Sequence, residues 1–256
     1  MPRTGSPRDR AITAVLFDID NTFWDLIEAK QAGCRAVADW LGRGDGDELF
    51  GYFCRPVLDF EHPGHLRDFL ADHGCRDPAL HEEGLGRYRS ALLDALEVYP
   101  GVAETLSHVR GLGLRTGIVT DAYDRDARDR LEVAGLDGLF DCVVAFETTR
   151  QRKPAPAPFR VALAALGVRP GEAVYVGDSL ERDIGPAQRM GMVAVHAAYG
   201  DRNIGPQPDV TPDATIDGIA VLLEVLGEQP GHGPFPGHPE RHCIDHENGI
   251  TRNTDP

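Results

Sequence analysis

The chain has 256 residues, 41% hydrophobic and 26% charged, the proportions of a soluble globular protein with room for one large domain or a core carrying a smaller module. Its 41 acidic and 26 basic side chains leave a formal charge of −15, which argues against a nucleic-acid groove, where a basic stripe is needed. A phosphorylated small molecule stays compatible with that charge if a local cation, often a metal, meets it.

Residues 1–10 are polar and basic and are expected to be disordered. AITAVLF follows, seven residues that run straight into charge; this is too short for a signal peptide, and no segment is long enough to span a membrane. The first predicted strand is 12–17 (ITAVLF), and it leads into DIDNT. An unpaired buried carboxylate is costly, so Asp18 and Asp20 need a reason. Side chains two apart on a strand share a face. Paired carboxylates there suit a divalent cation or a nucleophile with an acid/base partner; an Asx turn or a helix cap is the other use.

From Leu26 to Tyr99 no strand pattern occurs. Residues 26–42 and 78–97 read as amphipathic helices, and the aromatic-rich GYFCRPVLDFEHPG between them is less regular. The reading is a helical cap over 25–99, set above the strand ends where open parallel sheets bind ligands. Such a module excludes water and selects substrate. Tyr52, Phe53, Arg55 and Phe60 are candidates for the cap side of the cavity or for the cap's own core. Trp24 packs the hinge or lines the pocket.

Beyond residue 100, predicted helices (102–111, 124–134, 157–166, 183–190, 219–226) alternate with predicted strands (115–119, 142–146, 173–177, 192–196, 214–216). The expected fold is therefore α/β: a Rossmann-like parallel sheet core, residues 11–24 and 100–227, with helices on both faces and an inserted α-helical cap. Three more strand ends carry chemistry. Thr120 and Asp121 offer a hydroxyl and a backbone N–H to a phosphate oxygen. Lys153, in RKPAPAPF, neutralises an anion or is a solvated loop lysine. GDSLERD places Asp178 at a strand tip and Asp183 five residues on.

The tail, 228–256, is rich in Gly, Pro and His and is expected to be disordered. Its His232, His238, His242, Cys243 and His246 fit no closed zinc pattern. The five cysteines (Cys34, Cys54, Cys75, Cys142 and Cys243) form no C-x-x-C pair, which predicts reduced thiols and a cytoplasmic protein.

DIDNT (18–22), Thr120, Lys153 in KPAPAPF and GDSLERD (177–183), running on into IGPAQRMGM, stand in the order of four motifs. Together they resemble the haloacid dehalogenase-like hydrolase superfamily over residues 12–227. The resemblance implies a Mg²⁺-dependent phosphatase for a small phosphorylated metabolite, with a helical cap inserted after the first motif. By it, Asp18 is the nucleophile and forms an aspartyl-phosphate. Asp20 protonates the leaving alkoxide and then takes a proton from water. Mg²⁺ is held by the Asp18 carboxylate, the Asp20 main-chain carbonyl and Asp178. Thr120 and Lys153 steady the transferring group, and Thr22 holds the phosphate-binding loop by a local bond. Asp183 orients Lys153 or a metal-bound water.

Two positions depart from the pattern. Asp121 replaces the Asn of many relatives, so it points away from phosphate or binds a substrate hydroxyl or amine. Arg150 replaces a frequent Gly and is exposed or adds a cation at the mouth. Halide leaves without a proton, so the acid at Asp20 favours phosphate esters over carbon–halogen bonds. A phosphomutase using the same residues, and a non-catalytic metabolite-binding module, are the alternatives.

Overall fold

Ala14 to Phe17 are all apolar and all buried, as a strand covered on both faces requires. In the computed structural model, which describes residues 11–203 and 208–227, this strand is β1 of a six-stranded sheet. The others are β2 (Arg115–Val119), β3 (Cys142–Val144), β4 (Ala173–Gly177), β5 (Val193–Ala197) and β6 (Ala214–Ile216). All pairs are parallel, in the order β3-β2-β1-β4-β5-β6. The fold is α/β and Rossmann-like, as the alternation predicts.

Helices cover both faces. Val15 and Phe17 share a core with Leu106 and Val109 of α5 (Val102–Gly111) and Leu131 of α6 (Asp124–Val133). Ala14 and Leu16 pack the other way, with Phe159 and Leu163 of α8 (Pro156–Leu166) and Ala187 of α9 (Gly185–Met190). Between β1 and α5 the chain makes four helices: α1 (Leu26–Leu41), α2 (Gly46–Phe53), α3 (Gly64–Asp72) and α4 (Pro78–Asp94). Asp25, Asp45 and Asp77 cap α1, α2 and α4 by accepting backbone N–H bonds. The insertion leaves and returns side by side: Trp24 bridges Val98, and the Tyr99 N–H donates to the Phe23 carbonyl at 2.7 Å.

Several boundaries differ from the sequence reading. Helices α2 and α3 were not expected. The N-cap of α3 is Pro63 with no side-chain bond, so the usual start signal is missing, and the helix is held by inward packing of Leu66, Phe69 and Leu70 and by buried His65, whose Nε2 bonds the Asp59 carbonyl at 3.0 Å. The predicted strand 142–146 stops at Val144, and Phe146–Thr149 is a short helix, α7. The helix expected at 183–190 is preceded by a π turn, Leu180–Ile184. The last helix is α10 (Leu222–Val225), entered through a 3₁₀ turn. The N-terminal segment and the His-rich tail, with Cys243, lie outside the described residues. Among the described residues no helix is long and apolar enough to cross a membrane, and Cys34, Cys54, Cys75 and Cys142 carry free thiols.

The register positions the site. Phe17 lies opposite Ile118 on one side and Val176 on the other. The chain therefore leaves β1, β2 and β4 at one level, at Asp18, Thr120 and Asp178. The turn after Asp20 places Asn21 at φ 59° and packs it on Gly200, where a Cβ would lie 1.5 Å from the Asn21 carbonyl oxygen. Gly200→Ala must displace that turn or the loop after β5, and overpacking of this kind costs about 1–3 kcal/mol. The measurement is the urea midpoint of the variant against wild type; an unchanged midpoint contradicts the packing.

Candidate functional site

Asp18 is the first residue beyond β1, and its N–H donates to the Val176 carbonyl at 2.9 Å. Strand alternation ends at Phe17, so it is the following turn, not the strand, that brings Asp18 and Asp20 together. Both line one cavity of about 340 Å³ at the carboxyl edge of the sheet. Thr120, Asp121, Lys153 and Asp178 line it too, as do Asp59, Phe60 and Glu61 from the insertion.

Lys153 is buried and its Nζ lies 2.7 Å from Asp18 Oδ1 and 2.7 Å from Asp183 Oδ1. Tyr175 OH donates to the same Asp183 oxygen at 3.0 Å, and the Ser179 N–H donates to the other at 3.0 Å. Asp183 is thereby fully engaged in holding Lys153, under Gly177, where a Cβ would come within 2.6 Å of the Asp183 carboxyl carbon. Burial disfavours the ammonium, but Asp18 and Asp183 outweigh it and Lys153 stays charged.

Asp178 is different. Both its carboxylate oxygens are buried and have no hydrogen-bond partner. Burial and then Asp183 push its pKa up to about 7. Burial also raises Asp18 well above the usual carboxylate range; Lys153 opposes this, and Asp183, Asp178 and Asp20 add to it. The pocket is short of positive charge. Asp18, Asp178 and Asp183 each bring an oxygen within 4.8 Å of the others. With Asp183 already bonded, the Asp18 and Asp178 oxygens are what a hard, oxygen-seeking dication would find, and they fit one.

Asp20 accepts from Trp24 Nε1–H at 2.9 Å and from Arg130 Nη1–H at 2.8 Å. Trp24 is fully buried, so it packs the hinge and also fixes this carboxylate. Arg130, on α6 and 3% exposed, donates through Nη2 to Glu61 Oε2 at 2.9 Å. Lys30 lies 3.9 Å from Glu61, between the Phe53 and Phe60 rings, and donates to the Phe60 carbonyl. Burial raises the Glu61 carboxyl, but Arg130 and Lys30 override it and hold it at about 2.

Thr120 accepts the Ala122 N–H at 3.1 Å, which leaves its hydroxyl proton to donate into the cavity. Asp121 turns Oδ1 to the Lys153 N–H at 2.8 Å and has Arg182 3.8 Å from Oδ2. Thr22 does not make the expected local bond: its hydroxyl is buried without a partner and lies off the cavity lining, and its carbonyl accepts from Tyr199 OH. Arg150 is exposed and in the left-handed region, also off the lining. Tyr52 and Phe53 are buried in the insertion's core, Arg55 stacks on Tyr52, and only Phe60 of that group lines the cavity. Sequence reasoning missed Arg130, Glu61, Lys30, Arg152 and Tyr175. The charged ones sit among many surface charges, and Tyr175 reads as an ordinary strand residue.

The family model of the haloacid dehalogenase-like hydrolases matches residues 12–191. The chain is 33% identical over 228 residues to a glyceraldehyde 3-phosphate phosphatase of Methanopyrus kandleri, covering 85% of this chain and 98% of that one. It is 30% identical over 230 residues to a phosphoglycolate phosphatase of Chromobacterium violaceum, covering 84% and 96%. The crystal structure of a 2-haloacid dehalogenase from Pseudomonas syringae pv. Tomato DC3000 superposes with a TM-score of 0.66 at 26% identity, covering 84% and 98%.

Two outcomes follow from the charges. An ionised Asp178 without a cation opposes folding above its unfolded pKa, so at pH 8 Asp178→Asn stabilises the metal-free protein by about 2–4 kcal/mol. Mg²⁺ raises the melting temperature of wild type and not of this variant; thermal unfolding with Mg²⁺ and with chelator reads both. Glu61 is depressed from 4.5 to about 2, so its stabilisation is complete above pH 4.5 and lost as pH falls toward 2. Unfolding free energies of wild type and Glu61→Gln from urea titrations, on the order of 3 kcal/mol apart at neutral pH, should converge in acid; a constant gap is the contrary result.

Proposed function

The chain belongs to the haloacid dehalogenase-like hydrolases, and on that premise we propose that it is a Mg²⁺-dependent phosphatase that hydrolyses a small phosphomonoester through an aspartyl-phosphate on Asp18. The observation that carries this reading is one cavity wall: Asp18 held by Lys153, the open oxygens of Asp178 beside it, and the Asp20 carboxylate facing the same space. The Asp18 and Asp178 carboxylates and the Asp20 main-chain carbonyl would hold Mg²⁺, which would supply the charge that lets a phosphate dianion approach an ionised Asp18.

The chain's own groups do the rest. Lys153 fixes Asp18 Oδ1, leaving the carboxylate aimed at phosphorus. The Thr120 hydroxyl and Lys153 offset charge on the transferring oxygens. Asp20 gives its proton to the departing alkoxide, then accepts one from the water that opens the aspartyl-phosphate. Trp24 and Arg130 hold Asp20 in one rotamer for both transfers. Asp121, turned to the Lys153 N–H and Arg182, sits beside the phosphate site without aiming at it. The four-helix insertion acts as the cap, since its residues 59–61 line the leaving-group side.

The structural likeness to a dehalogenase does not displace this reading. A halide needs no proton on departure, whereas here a carboxylate is fastened where an alkoxide would leave. The relatives' substrates are a phosphorylated triose and a phosphorylated two-carbon acid, so a two- or three-carbon metabolite is the class to test first. The free thiols fit a reducing cytoplasm.

The test is phosphate release from a panel of phosphomonoesters, with Mg²⁺ and with chelator. Asp18→Asn abolishes it. Asp20→Ala loses ~10²–10⁴-fold on alkyl phosphates, the usual worth of a general acid, and far less on p-nitrophenyl phosphate, whose leaving group needs no proton. Equal loss on both contradicts the role of Asp20; release that survives Asp18→Asn contradicts the reaction.

A further inference from the structure

The cavity's remaining charges bear on which leaving group it accepts. Among the described residues six carboxylates line it (Asp18, Asp20, Asp59, Glu61, Asp121, Asp178) and four cations (Arg152, Lys153, Arg182, Arg202). Each cation already has an acid: Lys153 has Asp18 and Asp183, Arg182 has Asp121, Arg202 has Asp25, and Arg152 has Asp59. A phosphate dianion arriving with a dication adds no net charge. A carboxylate on the leaving group adds one negative charge and must compete with these acids for a cation.

Arg152 is the cation best placed to have served. Its guanidinium lies 4.1 Å from the Phe146 ring centre and 5.5 Å from that of Tyr123. One nitrogen donates to the Asp121 carbonyl. These anchors all belong to the sheet side, so the guanidinium is positioned without help from the insertion. Its other terminal nitrogen donates to Asp59 Oδ2 at 3.1 Å. Asp59 comes from the insertion and, with its neighbours Phe60 and Glu61, lines the same cavity as Asp18 and Lys153. Its carboxylate takes the Arg152 N–H that a leaving-group carboxylate would otherwise seek.

Resting on the phosphatase reading above, we propose that Asp59 is a specificity-determining residue: by covering Arg152 it restricts the site to phosphomonoesters of uncharged, hydroxyl- or carbonyl-bearing leaving groups and turns away those that carry a carboxylate.

The experiment compares kcat/KM for glycerol 3-phosphate and 3-phosphoglycerate, which share a three-carbon frame and differ in a carboxylate. Wild type prefers glycerol 3-phosphate. Asp59→Asn keeps the volume and removes the charge, and it shifts the ratio toward 3-phosphoglycerate by ~10–100-fold, the worth of one charge-assisted hydrogen bond. Adding Arg152→Gln to Asp59→Asn cancels the shift. Melting temperatures of each variant separate a folding defect from a change of preference. A wild type that already prefers 3-phosphoglycerate, or a ratio that Asp59→Asn leaves unmoved, overturns the proposal while Mg²⁺- and Asp18-dependent cleavage of p-nitrophenyl phosphate keeps the phosphatase reading standing. Absence of that cleavage overturns the phosphatase reading and the specificity with it.

Discussion

One ammonium group organises the carboxyl edge of the sheet. Lys153 Nζ sits between Asp18 and Asp183, 2.7 Å from each, in a place with almost no solvent. Burying an ion without partners is prohibitive, and burying it between two carboxylates is tolerable only when their remaining oxygens are also bonded. Asp183 meets that condition through Tyr175 and Ser179. Asp178 does not. Lys153 serves Asp18 and Asp183, and even with the Arg182 charge nearby both Asp178 oxygens stay unbonded, which makes the site receptive to a dication and, with it, to a phosphate. Close packing explains why Gly177 precedes Asp178: a side chain there would push Asp183 away from Lys153.

A second chain of charges runs the other way, out of the sheet and into the insertion. Asp20, Arg130, Glu61 and Lys30 alternate in sign, and each touches the next or lies within 4 Å of it. Arg130 belongs to the sheet side and Glu61 to the insertion, so the placement of the acid/base carboxylate and the seating of the insertion share one guanidinium. Replacing such a buried chain with apolar residues is often neutral for stability. Its value here lies in fixing one geometry between two parts of the chain whose backbone connections run side by side at Trp24 and at Val98 to Tyr99.

Much of this was legible in the residues. The alternation of short apolar runs with helical patterns gave a parallel α/β sheet and the insertion after the first strand, because period and burial are local properties of the chain. Asp18, Thr120 and Asp178 just past three strand ends, and Lys153 in the longer connection after β3, were legible because acids, a hydroxyl and a lysine stood where turn residues alone would do. Helix α3 was not, since Pro63 supplies no capping oxygen and three inward apolar residues are too few to stand out. Thr22 was read as a local hydrogen-bonding residue because threonines in turns usually are; packing against the Tyr199 side left its hydroxyl without a partner.

The α6 sequence DRDARDRLEV marks the limit. It holds three arginines, and all three pair with acids. Arg125 and Arg128 meet Asp129 and Asp124 four residues away on the exposed helix surface, a pattern any reader of the sequence can write down. Arg130 instead reaches Asp20, 110 positions earlier, and Glu61, 69 positions earlier. Arg152 and Asp59 meet across 93. The chain by itself determined the elements, their order and the residue types at the strand ends, since these depend on neighbours a few positions apart. Which of many similar charges are drawn out of water and onto Asp20 or Asp59 depends on how the insertion folds back over the sheet, and that was decided only by the tertiary structure.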